Sequence, residues 1–320
     1  MSVKVAISQF EYRKAADFFN SIPDFEFIVA PSAEDELAEV IRSSGARHAV
    51  IGTVRYAKAL YEALPPGGVI ARFGVGHDGV DKAAAARHGL FCTNTPGVLE
   101  QSVAEFTIGM MISFARHLSV CSHEVRTGGW HNRVGGELAG KTLLIVGCGE
   151  IGARTARIAA LGLHMRVLGL ARRAQVPTAE SGIARIFTEF EPAAREADFV
   201  SLHIPDSPEN RDFLNADRLK QMKPSAVLIN TARGGVVDEN ALYDAVAAGT
   251  IAGAALDVFK HEPYMPLDPA RDLRKLDRML LTPHLGSSTA EACLRVAQAV
   301  VDNLRAAEGG QLDRMNLVTG

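Results

Sequence analysis

The chain has 320 residues, of which 47% are hydrophobic and 22% charged, and a formal net charge of -3 at pH 7. Two domains are expected at this length, because one hydrophobic core seldom serves so many residues. The mildly acidic balance excludes a nucleic-acid or anionic-membrane role driven by bulk electrostatics. No stretch is apolar enough for a signal peptide or a membrane span, which points to the cytoplasm. Cys92, Cys121, Cys148 and Cys293 are scattered and share no ligand spacing, so neither a disulfide framework nor a metal site is expected.

Short apolar runs open the chain at Val3 to Ile7, Phe25 to Val29, Ala49 to Gly52, Val69 to Phe73 and Leu90 to Asn94, with helix-like stretches between them. Leu37, Val40 and Ile41 recur at helical spacing within Glu34 to Ser44. Strands alternating with helices predict a small parallel α/β unit. Glu100 to Arg126 then reads as one long helix feeding a second unit.

Within that second unit, Thr142 to Val146 runs straight into Gly147-Cys148-Gly149-Glu150-Ile151-Gly152, and a helical stretch follows from Ala153 to Leu161. This is a dinucleotide fingerprint in its strand-turn-helix setting. The first glycine serves the tight turn, the second lets a pyrophosphate approach the backbone, and the third lets helix and strand pack closely. The helix N-terminus favours the phosphate charge. Further runs at Arg166 to Leu170, Phe199 to His203, Val227 to Asn230, Ala254 to Val258 and Met279 to Thr282 predict a doubly wound sheet of six strands with ligand at their carboxyl ends. Ser288 to Arg305 reads as a second long helix. Two long helices around the nucleotide unit predict that the chain leaves the first domain, builds the second and returns, with the active site in the cleft between them.

Four clusters lie at or just past the predicted strand ends: Asn230 to Gly235, Leu256 to Phe259, Glu262-Pro263, and Pro283 to Gly286. Arg233 can clamp a carboxylate through two parallel hydrogen bonds. His284 can exchange a proton near neutral pH, and Glu262 can orient its imidazole. Taken singly, each has a bland alternative as a loop cation, a structural histidine or a solvated acid.

In order and spacing the chain resembles the D-isomer-specific 2-hydroxyacid dehydrogenase family along essentially its whole length. The blocks that carry the likeness are Phe73 to Asp81, Val103-Ala104-Glu105, the fingerprint, Leu202-His203-Ile204-Pro205, Asn230 to Gly235 and Pro283 to Gly286. The resemblance implies a Rossmann doubly wound sheet, residues 99–288, inserted into a smaller flavodoxin-like α/β substrate domain, residues 1–98 and 289–320. It implies Arg233, Glu262 and His284 as the catalytic set, with backbone amides of Val75 and Gly76 joining Arg233 and His284 on the substrate. It places the cofactor along Thr107, Gly147, Gly149, Glu150, Ile151, Gly152, His203, Ile204, Pro205, Thr231, Ala232, Arg233, Asp257, His284 and Gly286, with Asp257 on the nicotinamide amide. A homodimer is also implied, through the nucleotide domain and the long helix. There the apolar face of Val103, Phe106, Met110 and Phe114 reads equally well as internal core, and Trp130 just beyond as support for interface or fold. Departures from the family pattern include His77 in the substrate loop, read as a cleft-lining side chain, and Tyr264-Met265 after Glu262.

NAD-preferring nucleotide folds place an acid at the end of the second strand for the adenosine ribose hydroxyls. Here Ala171 takes that position and Arg172 and Arg173 follow. A guanidinium about 4 Å from a ribose phosphate gains roughly 4 kcal/mol of gross Coulomb energy at an effective dielectric near 20. A net preference of only about 1.4 kcal/mol is already tenfold. NADP(H) is therefore the expected cofactor and NAD(H) the second reading; the competing view of the two arginines is a solvated pair. The expected reaction is hydride transfer to a small 2-keto acid, with glyoxylate and hydroxypyruvate favoured by the likeness. The alternatives are a phosphoglycerate-type relative, which the short stretch after the second long helix disfavours, a formate- or phosphite-type dehydrogenase, and a corepressor-like nucleotide sensor.

Overall fold

The computed structural model describes residues 2–173 and 178–318. The chain divides into two compact units, one of Met1–Leu99 with Ser288–Gly320 and one of Glu100–Ser287.

The first unit carries five strands: β1 (Val3–Ser8), β2 (Phe25–Ala30), β3 (His48–Ile51), β4 (Val69–Arg72) and β5 (Phe91–Thr93). They pair in the order β2-β1-β3-β4-β5, and every pairing is parallel. That is the flavodoxin-like order. The helix Glu34–Ser44 buries Leu37, Ala38 and Ile41 and stops at Gly45, whose φ of 70° lies in the left-handed region that favours glycine. The long helix Ala290–Glu308 belongs to this unit and starts from a Thr289 hydroxyl that accepts the Ala292 amide.

The second unit carries β6 (Thr142–Val146), β7 (Arg166–Leu170), β8 (Ile183–Phe187), β9 (Phe199–Leu202), β10 (Val227–Asn230), β11 (Gly253–Leu256) and β12 (Met279–Leu281). Their order is β12-β11-β10-β9-β6-β7-β8, all parallel, the doubly wound arrangement with the crossover between β6 and β9. Alternate residues of one strand serve opposite cores. Leu144 and Val146 pack with Leu168, Val200 and Leu228, whereas Leu143 and Ile145 pack with Val167, Phe199 and Ile229. A sheet covered on both faces needs such unbroken apolar runs, which made its inner strands readable from the sequence.

Two elements differ from expectation. The sheet has seven strands rather than six: β8 was missed because it is a short edge strand with exposed Ala184 and Arg185, joined to β7 through a register shift at Val167/Leu168. The single helix expected from Glu100 to Arg126 is two, Glu100–Ala115 and Leu118–Arg126. His117 breaks it with a φ of 55°, where no glycine or proline marks a stop. No helix among the described residues is long and apolar enough to cross a membrane.

Candidate active site

The glycine turn after β6 divides its work as the motif predicts. Gly147 has a φ of 96°, and a Cβ there would lie 2.6 Å from the His203 carbonyl oxygen. A Cβ on Gly152 would lie 2.1 Å from the Gly147 oxygen, so helix and turn pack too closely for any side chain. Gly149 has nothing within 4 Å of its Cβ position, and it precedes the helix Glu150–Leu163 without a side-chain cap. The first helical amides, including those of Ile151 and Gly152, therefore face an open cradle suited to phosphate oxygens. These residues fit a dinucleotide.

Around that turn, parallel register puts the other strand ends on the same edge. His203 donates its amide to Val146 O at 2.7 Å, and its Nε2 sits 2.9 Å from Ser201 Oγ. Ile204 packs partly into the core, and Pro205 is exposed. At the end of β7 the Ala171 amide bonds to Phe187 O, and Arg172 and Arg173 are exposed. Residues 174–177 lie outside the described residues. Sequence reading missed one neighbour. Glu209, on the loop after β9, is held below the usual carboxylate range by Ser207, its own backbone amide and the charge of Arg172.

After β10, Asn230 folds its amide over the turn: Nδ2 donates to Arg233 O at 2.8 Å and Oδ1 accepts from Ala232 N at 3.0 Å. Arg233 is thereby fixed in extended backbone (φ -150°), half-buried, with Nη1 donating to Ala232 O. Thr231 Oγ1 lies 2.8 Å from Thr107 Oγ1. The Thr107 proton goes to Val103 O, so Thr231 donates to Thr107 and keeps its lone pairs as acceptors.

His284 and Glu262 meet as the sequence predicts, with Nδ1 2.7 Å from Glu262 Oε2. The Phe259 amide donates to Glu262 Oε1 at 3.0 Å. Burial alone would raise the Glu262 carboxyl. The hydrogen bond and charge of His284, the Phe259 amide and the Arg233 charge outweigh that and hold it below its usual range. An ionised Glu262 accepts a hydrogen bond from Nδ1–H, which leaves Nε2 as the ring atom for proton exchange. The loop carrying Glu262 is itself clamped, because Lys260 N donates to the buried Glu239 at 2.7 Å and Gly234 leaves no room for a Cβ against Phe259.

Asp257, 1% exposed, braces the histidine loop. It accepts from Thr282 Oγ1 at 2.6 Å and from the amides of Leu285 and Gly286 at 2.8 Å each, while its carbonyl accepts the His284 amide. Burial pushes its carboxyl up despite these donors. Three donors on two oxygens leave Oδ2 with a single partner among the described residues.

In the first unit, Val75 and Gly76 follow β4. Neither amide finds an acceptor among the described residues, while the Val75 oxygen accepts from Asn94 Nδ2 at 2.8 Å. Asn94, Glu239 and the bracing by Asp257 carried no local sequence signal, since their partners lie 19 to 29 residues away and only folding brings them near.

The sequence profile of the D-isomer specific 2-hydroxyacid dehydrogenase NAD-binding domain matches residues 108–286. A glyoxylate reductase from Thermococcus litoralis is 40% identical over 264 residues, covering 80% of this chain and 78% of that protein. A hydroxypyruvate reductase from Thermotoga maritima is 37% identical over 239 residues, 74% and 76% of the two. Among solved structures, an NADPH-dependent glyoxylate/hydroxypyruvate reductase from Sinorhizobium meliloti, in complex with NADP and malonate, has a TM-score of 0.79 at 29% identity, covering 96% of this chain and 93% of that one.

Proposed function

Since the chain belongs to the D-isomer specific 2-hydroxyacid dehydrogenases and is an NAD(P)-dependent oxidoreductase of that class, we propose that it reduces glyoxylate or hydroxypyruvate in the cytoplasm, with NADPH as the preferred reductant. The observation that carries the reading is the Glu262–His284 pair held at 2.7 Å on the strand-end edge that also carries the fingerprint. The names of the glyoxylate and hydroxypyruvate reductases among the relatives support the substrate class.

Arg233 clamps the substrate carboxylate through its guanidinium, and the free amides of Val75 and Gly76 are assigned to the same group. The nicotinamide, when bound, supplies the hydride to the carbonyl carbon. His284 Nε2 donates a hydrogen bond to the keto oxygen and gives up its proton as negative charge develops there, and Glu262 steadies the ring throughout. In the oxidative direction neutral His284 takes the hydroxyl proton. Each turnover in reduction consumes one hydride and one proton and yields the 2-hydroxy acid.

The NADPH preference rests on Ala171, which stands in place of the acid that would repel a ribose phosphate, and on the exposed guanidinium of Arg173 beside Arg172, whose charge also acts on Glu209. A homodimer is part of the same reading. It rests on the helix Leu118–Arg126, which buries no residue, and on Trp130 and Val134, which are 85% and 94% exposed. The face expected for this role differs: Val103 and Met110 are buried within the second unit.

A panel of 2-keto acids assayed with both reduced cofactors tests the proposal. Glyoxylate or hydroxypyruvate should give the highest kcat/KM, and NADPH should exceed NADH by about tenfold or more. Comparable efficiency with both cofactors would remove the NADPH preference, and no turnover of any 2-keto acid would remove the reading itself.

A further inference from the structure

We propose that Asn94 is a positioning residue that aims the Gly76 amide at the substrate carboxylate, and that Asn303 on the helix Ala290–Glu308 holds Asn94 in place for this task. The inference rests on the functional reading above, in which the Val75 and Gly76 amides take that carboxylate.

Three consecutive carbonyls of the loop after β4 turn inward. The Arg72 guanidinium donates to Phe73 O, the Thr95 amide to Gly74 O at 3.1 Å, and Asn94 Nδ2 to Val75 O at 2.8 Å. In a planar trans peptide, the carbonyl and the following N–H point in opposite directions. Anchoring Gly74 O therefore turns the Val75 N–H outward, and anchoring Val75 O does the same for Gly76. The first anchor is a backbone amide that no substitution at Thr95 other than proline removes. The second is a side chain, so the direction of the Gly76 amide depends on one residue.

Asn94 is itself fixed at both backbone groups. Its amide donates to Asn316 O at 3.1 Å, and its carbonyl accepts from Asn303 Nδ2 at 3.1 Å. Asn303 Oδ1 in turn accepts the Asn316 amide at 2.8 Å. Asn303 is 2% exposed, in a site where an apolar residue of similar size would be the default for core packing. A buried amide with both ends used fixes a geometry that an apolar contact leaves free. The relay runs from the long helix through Asn94 to the loop, and all of it lies within the first unit. Two outward amides side by side form a concave donor pair suited to a carboxylate, and losing the aim of one weakens the anion without touching the hydride-transfer residues.

The test compares the full-length parent with Asn94→Ala, Asn94→Ser and Asn303→Leu. Two readouts are used: steady-state reduction of hydroxypyruvate with NADPH, and calorimetric binding of malonate to the NADPH-loaded protein. Asn94→Ala should raise KM and the malonate dissociation constant by about tenfold, with kcat changed less and the NADPH dissociation constant held within about twofold. Asn94→Ser, which keeps a shorter donor, should recover part of the loss, and Asn303→Leu should move both constants in the same direction by a smaller factor. Matching melting temperatures exclude loss of fold. Malonate affinity of Asn94→Ala within about twofold of the parent, or no recovery in Asn94→Ser, would overturn the proposal. A parent that binds malonate but turns over no 2-keto acid would instead remove the functional reading and leave the malonate comparison standing.

Discussion

His284 sits at a φ of 55°, a conformation disfavoured for residues with a side chain, and two backbone acceptors, Asp257 O at 2.8 Å and Thr282 O at 3.2 Å, hold its amide there. Strain of this kind persists where surroundings over-determine it, and here the surroundings are the Asp257 brace. His284→Ala should lower turnover by roughly 10² to 10⁴ with the fold intact, measured by steady-state kinetics and circular dichroism. Near-parent turnover would exclude His284 as the proton donor. Glu262→Gln keeps the acceptor for Phe259 N but removes the charge opposite Nδ1. The loss of one charge-assisted hydrogen bond predicts a fall in kcat of roughly ten- to a hundredfold, with NADPH affinity unchanged.

The strand-turn-helix element built on the fingerprint separates fold from binding at two glycines. A methyl group at Gly152 would meet the Gly147 backbone at 2.1 Å, whereas one at Gly149 meets nothing within 4 Å. Gly152→Ala should therefore cost about 1–3 kcal/mol of stability as well as cofactor affinity. Gly149→Ala should leave the melting temperature unchanged and weaken NADPH binding alone, because the methyl group enters the space left for phosphate. Equal melting temperatures for the two variants would contradict this division. The second helix of the Glu100–Arg126 stretch is the opposite case, an element with no buried face of its own.

At the scale of the molecule, acid stability and assembly follow from groups far from the fingerprint. His48 is fully buried, its Nδ1 accepting the Val69 amide at 3.0 Å and its Nε2 facing Glu308 at 3.1 Å. Burial pushes its pKa down to about 4. Folded His48 stays neutral where the unfolded residue, with a pKa of about 6.5, takes up a proton. The stability this gives is present above pH 6.5 and is lost as pH falls toward 4. The slope attributable to His48 is at most about 1.4 kcal/mol per pH unit. His48→Gln should flatten the dependence of unfolding free energy on pH across that window by about one proton, and an unchanged slope would place the titration elsewhere. For assembly, sedimentation should find a dimer, and Trp130→Glu should shift it toward monomer; a monomeric parent would end the dimer reading.

The apolar runs of the inner strands, the fingerprint and the order of blocks through Pro283 to Gly286 were legible without coordinates. Both-face burial demands continuous hydrophobic strands, and phosphate approach demands glycine at fixed spacing. The break at His117 and the edge strand β8 were not legible, because neither is marked by local propensity, and for Trp130 the sequence left interface and fold as equal readings, its exposure being decided only by the tertiary structure. Sequence alone also named Arg233, Glu262 and His284, and Glu262 as the partner of the His284 ring, but not the groups that fix their loops. Asn230, Glu239 and Asn94 act by hydrogen bonds to backbone groups, and Asp257 through two backbone amides and the Thr282 hydroxyl, the Glu239 and Asp257 partners lying 21 to 29 residues away. A backbone amide or carbonyl looks the same at every position of a sequence, so which side chain it meets is decided only when the chain folds.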